Sequence, residues 1–112
     1  MPKFAANLSM LFNEVPFLER FGAAAACGFK GVEFLFPYEY PVAAVLGQLR
    51  QHNLQLSLFN MPPGNFAAGD RGIACIPGRE AEFRGALDLA LTYAVPLQVP
   101  RLHTMAGIAP IQ

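Results

Sequence analysis

From Phe4 to Met10 the chain alternates, with Phe4, Ala6 and Leu8 on one side and Ala5, Asn7 and Ser9 on the other, which is the period of a strand. Asn13 offers a helix cap, Pro16 suits a first helical turn, and Phe17, Leu18, Phe21 and Ala25 keep helical spacing until Gly28. Gly31 to Phe36 is short and apolar on both faces apart from Glu33, the pattern of a buried parallel strand ended by Pro37. Pro41 opens a second helix whose Val42, Val45, Leu46 and Leu49 share a face, and which runs out near His52 and Asn53. Leu54 to Asn60 returns to strand alternation, placing Leu54, Leu56, Leu58 and Asn60 together and Gln55, Ser57 and Phe59 opposite. Met61 to Pro77 is a long connection carrying Pro-Pro-Gly, Gly69 and Gly72, and long ordered loops tend to be functional. Arg79 to Val95 reads as a third helix with Phe83, Leu87, Ala90, Leu91 and Ala94 on its apolar face, Glu80 four residues before Arg84, and Pro96 as its stop. Pro100 to Ala106 supplies a fourth strand.

The order βαβαβαβ builds a parallel sheet covered by helices. An open doubly wound sheet would announce a glycine-rich turn after its first strand, but Leu8 to Asn13 contains no glycine. The other closure is the (β/α)8 TIM-barrel type, which takes about 250 residues for eight units. Four strands and three helices in 112 residues therefore read as about half a barrel, with residues 1–112 as the amino-terminal half of one domain.

Composition adds a reason to expect unsatisfied surface. The chain is 54% hydrophobic and only 14% charged, short of the polar side chains that cover a small domain, so apolar surface should lie against something else. An open four-stranded sheet leaves two edges through which copies could pair into a homo-oligomer. Eight basic and eight acidic residues cancel, and no basic run exists, which argues against nucleic acid as a partner. The longest uncharged stretch, Gln51 to Gly69, is broken by Pro62 and Pro63 and does not read as a membrane span. With no signal-peptide core near Lys3, a cytoplasmic location is expected, and Cys27 and Cys75 are expected as buried thiols.

Five segments carry a resemblance. They are Phe4 to Phe12; Gly28 to Tyr38, with its Gly-Val-Glu-Phe-Leu-Phe-Pro core; Phe59 to Gly72, which reads Phe-Asn-Met-Pro-Pro-Gly-Asn-Phe-Ala-Ala-Gly-Asp-Arg-Gly; Pro77 to Arg84; and Pro100 to Gly107. In order and spacing they resemble the amino-terminal half of the hydroxypyruvate isomerase family, a branch of the xylose isomerase-like barrels. The family pattern has Gly-Cys where this chain has Gln98 and Val99, and losing that glycine would strain a left-handed helix end. The resemblance implies interconversion of hydroxypyruvate and tartronate semialdehyde, a small keto-acid substrate, through an enediol. It also implies a divalent metal, Mg or Mn, in the complete protein. The metal ligands and proton-shuttling glutamates are expected on later strands, so this chain alone is expected to bind no metal and to be inactive. A non-catalytic half-barrel that self-associates is the other reading, and the metal-dependent endonucleases of the same fold family are a third that the neutral charge disfavours.

Barrel enzymes gather their chemistry at the carboxyl ends of strands. Asn7 could point inward to a substrate hydroxyl or carbonyl, or satisfy a nearby turn. Glu33 must find a partner, either substrate or an inward Arg or Lys of a neighbouring strand. Asn60 suits a pocket and equally suits capping of the Met-Pro-Pro-Gly turn. His103 alternates with Arg101 and Met105, as a pocket residue or a satisfied core histidine, and His52 at a helix end is assigned no function. Arg71, between two glycines, offers a planar guanidinium to a carboxylate or simply a solvated loop side chain.

Overall fold

The computed structural model describes residues 2–109. Four strands, β1 (Ala5–Asn7), β2 (Gly31–Glu33), β3 (Gln55–Asn60) and β4 (Leu102–His103), lie side by side in that order, every neighbouring pair parallel. The intervening helices are α1 (Phe17–Ala26), α2 (Val42–Gln51) and α3 (Glu80–Leu97), with α1 packed on α2 and α2 on α3. This is a parallel α/β sheet of the partial-barrel kind, with β1 and β4 as its edges among the described residues.

The core lies between one face of the sheet and the helices. Ala6 of β1 with Leu8 just after it, Val32 of β2 with Phe34 just after it, and Leu56 and Phe59 of β3 with Leu54 just before it meet Phe17, Phe21, Val45 and Leu49 of the helices. Aromatic rings form its centre: Phe34 is edge-on to Phe17 and Phe21 and stacks over Phe59 at 5.9 Å. Such pairs add about 0.5–1.5 kcal/mol beyond area burial.

The third strand departs from the simple alternation its sequence suggests. Val32 pairs with Leu56 but Glu33 pairs with Leu58, so Ser57 is an extra residue, a bulge. The bulge carries Phe59 to the core face with Leu54 and Leu56, while Leu58 and Asn60 turn to the open face. Burying a phenylalanine against Phe34 outweighs regular pairing at one residue. Ser57 settles the local loss by donating its hydroxyl to the Val32 carbonyl (3.2 Å) and accepting Arg101 Nη1 on its own carbonyl (2.9 Å).

Helix ends differ from expectation in three places. Asn13 does not cap α1; its amide donates backward to the Met10 carbonyl, and Pro16 occupies the cap position. Glu80 does not pair with Arg84, since its carboxylate accepts the Gly78 N–H instead. Pro96 does not end α3, which runs through it to Leu97. A proline near the last turn loses a single N–H bond, and the end is closed by a Schellman motif: Gln98 N–H donates to the Val95 carbonyl and Val99 N–H to the Ala94 carbonyl. Gln98 itself sits at φ +53°, ψ +37°, the left-handed strain that the missing glycine foretells.

The buried face of α3 is also rotated from the expected one. Tyr93 and Leu97 join Ala90 and Ala94 inside, and Leu91 lies exposed. Tyr93 wins the position because its hydroxyl donates to the Tyr40 carbonyl at 2.6 Å and its ring meets Tyr38 edge-on. Tyr38 in turn donates to the Asn60 carbonyl, and burial beside Tyr93 holds its hydroxyl well above the ordinary phenol range, so it stays a donor. Both cysteines are exposed, against the expectation of buried thiols: Cys27 follows a helix end and Cys75 lies in the long loop, where neither side chain has a core to enter.

Candidate functional site

The sheet face turned away from the helices carries the chain's polar strand residues. Register aligns Ala5 with Gly31 and Asn7 with Glu33, then Glu33 with Leu58, and Asn60 with His103. Paired residues of parallel strands point to the same side, so Asn7, Glu33, Asn60 and His103 all share the open face. They are drawn from the carboxyl ends of all four strands, where barrel chemistry is assembled.

Asn7 and Glu33 touch. The Asn7 side-chain oxygen accepts the Ser9 N–H at 2.9 Å, and its amide nitrogen donates to Glu33 Oε1 at 3.3 Å. The turn reading of Asn7 is realised, and the same side chain also reaches across to the next strand. The partner of Glu33 is this amide rather than an inward Arg or Lys, because both ion pairs among the described residues belong to Arg79. A half-buried carboxylate held by one neutral amide keeps acceptor capacity for a ligand hydroxyl.

Asn60 is the single polar residue among the buried ones described. Its N–H donates to the Leu35 carbonyl and its carbonyl accepts Tyr38, so the backbone is pinned from both sides while the amide side chain belongs to the open face. His103 is exposed, which removes the core-histidine alternative; its carbonyl accepts Met61 N–H, tying β4 to the start of the long loop.

That loop, residues 61–79, folds over the strand ends and is internally braced. Asp70 Oδ2 accepts Arg79 Nη2 at 2.9 Å and the Asn65 N–H at 2.7 Å, and Arg79 forks onto Glu82 through Nε and Nη2, both at 2.8 Å. The Arg79 guanidinium holds the carboxyls of Asp70 and Glu82 below the usual carboxylate range. Gly72 forms an antiparallel bridge with Ala106, and a Cβ there would lie within 1.9 Å of the Met105 carbonyl oxygen, at φ +97°. Only glycine permits that approach.

Arg71 rides on this braced loop. It is exposed and stands apart from the four-residue row in its contacts: Nη1 donates to the carbonyls of Phe66 (3.0 Å) and Asp70 (2.8 Å), and the guanidinium carbon lies 3.8 Å from the Phe66 ring centroid. Phe66 meets Phe36, just beyond β2, at 5.4 Å. The sequence reading singled out Arg71 but passed over Phe66 and Phe36. The signal for Phe66 was an aromatic five residues before an arginine within a glycine-punctuated loop.

Among the described residues no group of three or more His, Cys, Asp or Glu side chains is placed to hold a metal ion. Glu33 and His103 therefore belong to no such group among the described residues. No described helix is long and apolar enough to cross a membrane. A groove of about 540 Å³ lies at the opposite ends of the strands, lined by Lys3, Cys27, Lys30 and Asn53, away from the polar row.

No protein-family model matches the chain. It is 56% identical over 110 residues to a 2-oxo-tetronate isomerase of Cupriavidus necator, covering 98% of this chain and 42% of that protein. It is 50% identical over 110 residues to a hydroxypyruvate isomerase of Escherichia coli, covering 98% and 43%. Among solved structures, a Brucella melitensis protein described as an AP endonuclease, family 2, superposes with a TM-score of 0.95 at 61% identity, over 96% of this chain and 42% of that one. The chain thus spans about two fifths of the length of the curated relatives it matches. Sequence and fold agree that the chain belongs to the hydroxypyruvate isomerase family of xylose isomerase-like barrels, within which it forms a partial barrel.

Proposed function

We propose that this chain is the substrate-holding part of an isomerase that interconverts hydroxypyruvate and tartronate semialdehyde. The observation that carries the reading is the row of Asn7, Glu33, Asn60 and His103 at the carboxyl ends of four consecutive parallel strands, on the face free of helices. The reaction moves one proton from the hydroxymethyl carbon to the neighbouring carbonyl carbon and one from the hydroxyl oxygen to the carbonyl oxygen, through an enediol, with no net oxidation. In this proposal the amides of Asn7 and Asn60 and the imidazole of His103 bond the substrate oxygens, Glu33 accepts from a hydroxyl, and Arg71 takes the carboxylate. The carboxylates that transfer the proton, and the Mg or Mn ion that polarises the oxygens, belong to parts of the complete protein beyond this span.

A small acidic substrate fits better than DNA, despite the description of the Brucella melitensis relative. Acidic and basic residues number eight each, and Arg20, Arg71, Arg79 and Arg101 all donate to carbonyls or carboxylates of the chain itself rather than forming a free basic face. The self-associating half-barrel remains a second reading, favoured by the exposure of Phe4 (71%) and Met10 (65%), which flank the edge strand β1.

The test is a chimera in which this chain replaces the matching segment of the Escherichia coli relative. Turnover of hydroxypyruvate by the chimera is expected, with Arg71→Ala raising KM, and no turnover by the purified chain with added magnesium or manganese. A folded chimera without turnover overturns the assignment, and salt-sensitive binding to abasic DNA by the chain would favour the nuclease reading.

A further inference from the structure

We infer that Phe66 is a positioning residue that presents one edge of Arg71 as a ready-made receptor for a small planar carboxylate. The inference rests on the proposed role of Arg71 and adds what makes that arginine able to perform it. A guanidinium has five N–H donors on two useful edges. Both hydrogens of Nη1 are used, on the carbonyls of Phe66 and Asp70, and the flat cation is laid on the Phe66 ring. What remains is the Nε–Nη2 edge, for which no acceptor is found among the described residues. That edge binds a carboxylate through two parallel bonds, as Arg79 in the same loop does to Glu82.

Phe66 contributes twice, through its ring and its carbonyl, and is itself held. Its ring abuts Phe36 just beyond β2, and its short 3-10 turn (Phe66–Ala68) is capped by the Asn65 side chain and closed at Gly69, φ +110°. Asp70, on which the other Nη1 bond rests, is locked to Arg79. The side chain of an exposed arginine ordinarily loses rotamer freedom when it binds a ligand; here the fold has already removed it. A rigid two-point edge selects a carboxylate by shape, whereas a lysine in its place would offer only a point charge.

The experiment follows the Arg71 Nε–Hε resonance by NMR in the intact chain during titration with sodium hydroxypyruvate and with sodium acetate as a bare carboxylate, against sodium chloride at matched ionic strength. Both carboxylates are expected to shift it and chloride is not. Phe66→Leu, which keeps the carbonyl and removes the ring, should weaken the apparent affinity about two- to fivefold, the worth of an exposed cation–π contact. Phe66→Tyr should restore it. Equal affinities in the Phe66→Leu and parent chains remove the positioning role, and an unresponsive Arg71 resonance removes the receptor altogether. Neither outcome depends on turnover, so failure here is distinct from failure of the isomerase assignment, which the chimera reads as a rate.

Discussion

Replacing Gln98 by glycine should stabilise the protein, and the size of the effect follows from one backbone angle. Gln98 holds φ +53°, ψ +37° to complete the Schellman closure of α3. A non-glycine residue pays about 1–2 kcal/mol in the left-handed region, while glycine forfeits roughly 0.5–1 kcal/mol of extra freedom on folding. The difference leaves a net gain of about 0.5–1 kcal/mol. No side-chain hydrogen bond is sacrificed, since Gln98 is exposed and its amide is bonded to nothing among the described residues. Urea unfolding monitored by circular dichroism should show a raised midpoint at unchanged slope, and Tm should rise by roughly 2–6 °C for a chain of this size. Gln98→Ala is the control: it removes the same side chain but keeps the Cβ, and should give no gain. A Gln98→Gly protein no more stable than the parent, or an alanine variant that matches it, would refute the strain at this helix end.

The converse substitution lies in the long loop, where Gly72→Ala drives a Cβ into the Met105 carbonyl at a positive φ and should cost at least about 2 kcal/mol in the same unfolding assay. Stability should also fall in acid through Asp70. Its folded carboxyl lies below its ordinary value of 3.8, so its contribution is complete above that value and is lost as pH falls through the lowered folded one. Hydrogen exchange at the Asn65 N–H, which donates to Asp70, should reveal this: corrected for intrinsic rates, its protection should fall below pH 4, and Arg79→Ala should move that loss to higher pH.

Much of the architecture was legible because period and punctuation agreed. Three helices and four strands arise where spacing places them, and Gly28 at φ +93° stops α1 as its position suggests. The failures share a cause, in that each was decided by a partner distant in sequence. Nothing local to Leu54–Asn60 says that Ser57 is surplus, because the reason is Phe34, 25 residues from Phe59 and stacked upon it. Nothing in the periodicity of the third helix favours Tyr93 over Leu91, because the deciding acceptor is the Tyr40 carbonyl, 53 residues away. Asn13 looked like a cap by type, yet Met10 offered its amide a carbonyl first.

The bulge at Ser57 connects these structural decisions to the site. With unbroken alternation from Leu54, Phe59 would occupy the open face and Asn60 would be driven toward the helices. The extra residue reverses both, giving the core its stacked ring and the open face its amide in line with His103. The same residue accepts Arg101 on its carbonyl, so β4, which brings His103, is tied to the irregularity that turns Asn60 outward. Fold stability and site geometry are therefore set by one local insertion. The polar row could be suspected from strand ends alone, but its alignment depends on a hydrophobic preference expressed on the opposite side of the sheet.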